Sequence, residues 1–77
     1  MSTRKINGAT IRALREAIGV RAQVFATDCG ISPGYLTNIE KGRRQPAPDI
    51  ALRMAYRLGV TLDAITYPPP VDTEMQP

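Results

Sequence analysis

The segment around Gly30 constrains the fold of this chain more than any other part of the sequence. A glycine there supplies the permissive backbone that a sharp turn after a helix needs. Two residues later, Ser32 is a favourable N-cap and Pro33 suits the first position of a following helix. The segment from Ala22 to Arg44 therefore predicts two short helices joined by a tight turn.

The second of these helices has one apolar face and one free face. The apolar residues recur at helical spacing and should be buried: Ile31, Tyr35, Leu36 and Ile39. The free face keeps small, polar and cationic side chains: Ser32, Gly34, Thr37, Asn38 and Lys41. A DNA groove can accept a helix face of this kind. The pattern indicates a helix-turn-helix, with the motif at about 22–41.

The remaining periodicities predict further helices and no strand of consequence, so the fold class is all-α. Capping residues and apolar spacing place five helices at about 7–18, 21–29, 33–41, 48–58 and 62–66. The core is predicted to contain Ile11, Leu14, Ile18, Val24 or Phe25, Ala26, Cys29, Ala51, Met54, Ala55, Leu58, Leu62 and Ile65.

The two ends of the chain differ from its middle. Residues 1–6 are polar and predict a flexible basic arm; Arg4 and Lys5 either enter a DNA groove or remain solvated. Residues 7–66 form the predicted domain. Residues 67–77 begin with a tyrosine and three prolines, which predict an extended, disordered tail.

Composition narrows the function classes. The chain has 77 residues, which is enough for one small domain. It has no histidine, no clustered carboxylate pair and no glycine-rich phosphate loop, so we expect no catalysis, no metal and no cofactor. A single cysteine excludes an internal disulfide and fits a reducing cytoplasm. Because the sequence has no long apolar run, we expect neither a signal peptide nor a membrane span.

Charge is distributed unevenly along the chain. Residues 1–44 carry eight Lys and Arg against three acidic residues, whereas residues 45–77 carry two against four. The positive half coincides with the helix-turn-helix, as binding to a polyanion requires.

With the helices placed, residues 8–65 resemble the lambda-repressor-like DNA-binding domains of the XRE/Cro type. The similarity is carried by residues 11–16, by the run from Gly30 to Arg44, and by Pro46 with residues 58–63. The resemblance implies a compact five-helix domain that binds a double-stranded DNA operator. It also implies that Arg15 and Glu40 form a structural pair linking the first helix to the recognition helix.

The resemblance and the free helix face together define the expected DNA-binding residues. They are Arg4, Lys5, Arg21, Gln23, Ser32, Pro33, Gly34, Thr37, Asn38, Lys41, Arg43 and Arg44. Thr37 and Asn38 would read bases, and the cations would contact phosphates. The family's phosphate-contacting glutamine at the start of the second helix is missing here, so that contact passes to Arg21 or to Gln23. Pro33 and Gly34 cannot hydrogen-bond a base edge, so base reading by this helix is expected to be sparse.

The sequence thus predicts a small phage or bacterial repressor or Cro-like regulator that occupies an operator. We expect a cytoplasmic, nucleoid-associated protein, without a small-molecule ligand, that pairs as a homodimer because one module covers little DNA. The alternative is an antitoxin-like or accessory module of the same fold whose main role is to bind a protein partner.

Overall fold

The computed structural model describes residues 5–67, and this part of the chain is all-helical. Its helices are α1 (Gly8–Ala17), α2 (Ala22–Cys29), α3 (Pro33–Glu40) and α4 (Pro48–Leu58), followed by a 3₁₀ turn at Leu62–Ile65. The predicted disordered tail lies outside the described residues, except for Tyr67. Within residues 5–67, no helix has the length and apolar character that crossing a bilayer requires.

The prediction of a fifth helix is wrong, because Leu62–Ile65 forms only a 3₁₀ turn. The side chain of Thr61, which precedes this turn, makes no capping hydrogen bond. The next residue, Thr66, is already extended at φ −110° and ψ 156°. It pairs with Ile6 in a single antiparallel bridge, and this pairing prevents a further helical turn.

The other helices begin and end close to the predicted positions because local capping signals determine them. The side chain of Asn7 accepts a hydrogen bond from the Thr10 amide, and that of Ser32 accepts one from the Tyr35 amide. Gly30 closes α2 in the left-handed region, at φ 76°.

The core is formed by apolar side chains from every helix. The largest fully buried ones are Phe25, Ile11, Leu36, Ile39, Met54, Ile65 and Cys29. Of the two alternatives on α2, Phe25 is the buried residue and Val24 is 48% exposed. Burial raises the pKa of the Cys29 thiol, which suits a core residue.

Two predicted core positions are wrong. Ile18 is 48% exposed because α1 ends at Ala17, and the inward position on its last turn belongs to Arg15. Leu62 is 37% exposed because the 3₁₀ turn directs only Ile65 fully into the core.

The predicted arm is also shorter than expected. Ile6 was assigned to the flexible arm, but it is only 7% exposed and joins the core. Its neighbours are hydrogen-bonded to the end of the domain, since the Tyr67 amide donates to Lys5 and the Asn7 amide donates to Ile65. The folded unit therefore includes Lys5, the first described residue, while Arg4 lies outside the described residues.

Candidate nucleic-acid interface

The turn between α2 and α3 sets the relative orientation of the two helices. The Ile31 amide donates to the Ala26 carbonyl at 2.9 Å, which folds the chain back on α2 directly after Gly30. A Cβ at Gly30 would lie 2.8 Å from the Arg53 guanidinium of α4. The left-handed backbone at Gly30 favours glycine, whereas the Arg53 guanidinium is the end of a flexible side chain that could move aside.

The outward face of α3 presents small and polar groups. Ser32, Pro33, Gly34 and Thr37 are exposed, and Asn38 is half-buried. The Thr37 hydroxyl donates to the Pro33 carbonyl at 3.0 Å and so keeps its oxygen as an acceptor. The Asn38 side chain makes no hydrogen bond within residues 5–67, so its amide group is free to bind an external partner.

A buried ion pair fixes α3 against α1. Arg15 Nε donates to Glu40 Oε2 at 2.8 Å and Arg15 Nη2 donates to Oε1 at 3.2 Å. A third bond runs from Arg15 Nη1 to the Val20 carbonyl at 2.9 Å. The two side chains are only 10% and 9% exposed. The hydrogen bond to Glu40 raises the pKa of Arg15, against the opposing effect of burial.

The cations of the described chain fall into two groups. Besides Arg15, the first group has protein partners: Arg57 pairs with Asp28 at 2.6 Å, Arg53 donates to the Cys29 carbonyl at 3.5 Å, and Arg12 pairs with Glu16. The second group is exposed and forms no ion pair within residues 5–67: Lys5, Arg21, Lys41, Arg43 and Arg44. This second group contains only cations that were predicted to contact DNA.

Most of the unpaired cations surround the C-terminal end of α3. The Arg43 and Arg44 amides both donate to the Asn38 carbonyl, at 2.8 and 3.3 Å, which folds the loop onto the helix end. The Arg44 guanidinium lies 5.4 Å from the centre of the Tyr35 ring. Arg21 and Gln23 are exposed at the start of α2, and the structure leaves both as candidates for the phosphate contact there.

Gln45 makes a long-range contact that no sequence motif indicates. Its side-chain amide accepts a hydrogen bond from the Ile6 amide at 2.8 Å and donates one to the Ile6 carbonyl at 3.1 Å. A glutamine in a proline-containing loop gives no sequence signal for such a contact, because its partner is 39 residues away.

A family described as "Helix-turn-helix domain" matches residues 8–66. The chain belongs to this helix-turn-helix family. The resemblance to lambda-repressor-like domains is confirmed, with α2 and α3 as the two helices of the motif.

Two curated helix-turn-helix relatives differ in how much of their own length this chain matches. An HTH-type transcriptional regulator of Sinorhizobium fredii is 33% identical over 61 residues, which cover 79% of both chains. One from Mycobacterium tuberculosis is 33% identical over 58 residues, which cover 75% of this chain but only 41% of the relative. This chain therefore spans less than half the length of some relatives.

Solved structures share the fold. The clp gene regulator ClgR from Corynebacterium glutamicum is 31% identical with a TM-score of 0.71, covering 74% of this chain and 62% of that one. The P22 c2 repressor, solved in complex with a synthetic operator, has a TM-score of 0.70 at 23% identity. Its alignment covers 73% of this chain and 85% of the repressor chain, and shows a common fold.

Proposed function

We propose that this helix-turn-helix protein is a sequence-specific double-stranded DNA-binding transcriptional regulator that acts by occupying an operator. The observation that supports this proposal is that some cations have partners within the protein and others do not. Four arginines of the described domain, Arg12, Arg15, Arg53 and Arg57, are bound to carboxylates or carbonyls, whereas Arg21 and the arginines beyond α3 have no acidic partner. Unpaired cations clustered at the end of α3 provide the electrostatic footprint that a DNA backbone requires.

Each part of the interface has a distinct role in this proposal. Helix α3 enters the major groove, where Thr37 and Asn38 contact base edges. Ser32, Pro33 and Gly34 lie at its start, where small side chains allow a close approach to the duplex. The cations bind phosphates: Lys41, Arg43 and Arg44 beyond α3, Arg21 before α2, and the N-terminal Arg4 and Lys5.

We further propose that the protein acts as a homodimer on two half-sites. A single module of this size buries only about 600–1,000 Å² on DNA. Leu52 and Tyr56 lie on one face of α4 and are 55% and 88% exposed. Leu52 and Leu62 also line an apolar cleft of about 570 Å³ beside the start of α4. Pairing of two copies would remove this surface from water.

The test is selection of bound duplexes from a random pool, followed by titration of the selected duplex. Arg43→Gln is expected to weaken binding to all sequences and to lower the salt slope by about 0.9. Arg57→Gln makes the same charge change at a residue bound to Asp28, and should leave the slope unchanged. Failure to enrich any sequence would contradict sequence-specific binding.

The apolar cleft also supports a second candidate, a same-fold antitoxin-like or accessory module. Its lining combines Leu52, Leu62 and two prolines, a surface suited to an apolar segment of a protein partner. Recovery of one specific partner together with no preferred duplex would favour this candidate. Loss of that partner in Leu52→Glu would locate its binding surface.

A further inference from the structure

The short segment Lys5–Asn7 is hydrogen-bonded along both of its edges. On one edge, the Tyr67 amide donates to the Lys5 carbonyl and the Asn7 amide donates to the Ile65 carbonyl, each at 2.8 Å. In an antiparallel pair of this type, the amide and carbonyl of the intervening residue point to the opposite side. On that side, the Gln45 side-chain amide accepts a hydrogen bond from the Ile6 amide and donates one to the Ile6 carbonyl. It therefore makes the two hydrogen bonds that a neighbouring strand would make.

This arrangement joins three distant parts of the chain. Gln45 directly follows Arg43 and Arg44, so its amide attaches the loop beyond α3 to the N-terminal segment. The result is a cleft of about 350 Å³ between Lys5 and that loop. Its lining residues are Lys5, Ile6, Gly42, Arg43, Arg44, Gln45 and Tyr67. The three charged residues among them are all cationic, and none forms an ion pair in the described part of the chain.

Three cations around one small cleft repel each other unless an anion lies between them. Two restraints nevertheless hold Lys5 and Arg44 there. The backbone of Lys5 is bound to Tyr67, and the Arg44 side chain lies over the Tyr35 ring. Cations restrained in this way lose less conformational entropy when an anion binds. A phosphodiester group carries the charge and acceptor oxygens that fit the cleft.

We propose that Gln45 is a positioning residue that holds Lys5 beside Arg43 and Arg44, and that the cleft they line binds a phosphate of the DNA backbone. Lys5 then contacts DNA as part of the folded domain and not as part of a free arm. This inference rests on the proposed function and adds a site that the helix-turn-helix motif alone does not include.

The test is a double-mutant cycle on the selected duplex, with binding titrated over a range of salt concentrations. Gln45→Met keeps the charge and approximate length of the side chain but removes both hydrogen bonds to Ile6. We expect weaker binding and a salt slope lower by up to about 0.9, because Lys5 no longer remains at the phosphate. Lys5→Met should give a similar loss, and adding Gln45→Met to it should change little more.

The controls separate positioning from general destabilisation. Titrations are made where circular dichroism shows each variant to be folded, and Arg57→Met serves as a charge-loss control away from the cleft. If Gln45→Met does not fold, the salt slope of Lys5→Met alone tests the phosphate site. Lys5 is exposed, so its replacement should not affect folding.

A wild-type salt slope in Lys5→Met, or an undiminished effect of Gln45→Met in the Lys5→Met background, would overturn the inference while leaving DNA binding intact. Failure of the wild-type protein to bind any duplex would instead overturn the proposed function, and this inference with it.

Discussion

Gly8 lies directly against the backbone of Ile39, at the point where α1 begins and α3 ends. A Cβ on Gly8 would collide with the Ile39 carbonyl oxygen and lie 2.8 Å from the Glu40 Cα. The neighbouring obstacles are backbone atoms, which cannot rotate away as a side chain can. The absence of a side chain at Gly8 therefore sets how closely the recognition helix packs on the first helix.

Gly8→Ala is expected to lower the free energy of unfolding by about 1–3 kcal/mol, because an overpacked contact must be relieved by moving α3. This loss should exceed the gain of up to about 1 kcal/mol in helix propensity. Gly34→Ala is the matched control, since a Cβ there meets no atom within 4 Å. Chemical denaturation should show that Gly34→Ala is at least as stable as wild type. Equal stability of the two variants would contradict the close contact at Gly8.

Removal of one partner of the Arg15–Glu40 pair should be costly, because the other charge remains buried. Arg15→Met is expected to destabilise the protein by about 3–5 kcal/mol. The double variant Arg15→Met with Glu40→Leu leaves no unpaired charge and should recover part of this loss. A double variant that is destabilised by the sum of the single changes would show that the two residues are not coupled.

The contribution of Arg15 to the free energy of unfolding should also be independent of pH over the neutral range. Its pKa is raised in the folded protein, chiefly by the hydrogen bond to Glu40. The resulting stability is fully present below the ordinary arginine pKa and is lost only as pH rises through the still higher folded-state pKa. The difference in Tm between wild type and Arg15→Met should therefore stay constant between about pH 6 and pH 9. A steady decline of this Tm difference across the interval would contradict the predicted pH independence.

Two isoleucines provide a matched test of the core. Ile39 is 1% exposed beneath the recognition helix, whereas Ile18 is 48% exposed just beyond α1. Ile39→Ala should lower the free energy of unfolding by about 2–5 kcal/mol, because it leaves a cavity. Ile18→Ala should change it by about 0.5 kcal/mol or less. Thermal and chemical unfolding of the two variants, measured side by side, would reveal any reversal of this order.

Sequence preference should depend on Asn38. Asn38→Ala is expected to cost about 1–3 kcal/mol at one base position and to relax the choice of base there. Arg44→Ala should instead weaken binding to all duplexes and lower the salt slope by about one unit. Sequencing of the duplexes selected by each variant separates the two effects. Identical profiles for wild type and Asn38→Ala would exclude a base contact by this residue.

The sequence by itself determined the local elements of this protein. Asn7, Ser32 and Pro33 begin helices, and Gly30 closes one, through hydrogen bonds and backbone preferences that involve only nearby residues. The 3.6-residue period likewise identified Leu36 and Ile39 as buried. These features could be predicted because their physical causes lie within a few residues of each position.

Tertiary structure decided what depends on partners distant in sequence. The pairing of Thr66 with Ile6 ended the predicted fifth helix as a 3₁₀ turn and drew the end of the predicted arm into the core. Arg57 forms an ion pair with Asp28 of α2, whereas Arg43 forms none within the described residues, although both are arginines in a basic protein. Gln45 gained its role from an amide and a carbonyl 39 residues away. The sequence specifies charge and hydrogen-bonding capacity, but only the folded chain determines which groups are satisfied internally and which remain exposed without an internal partner.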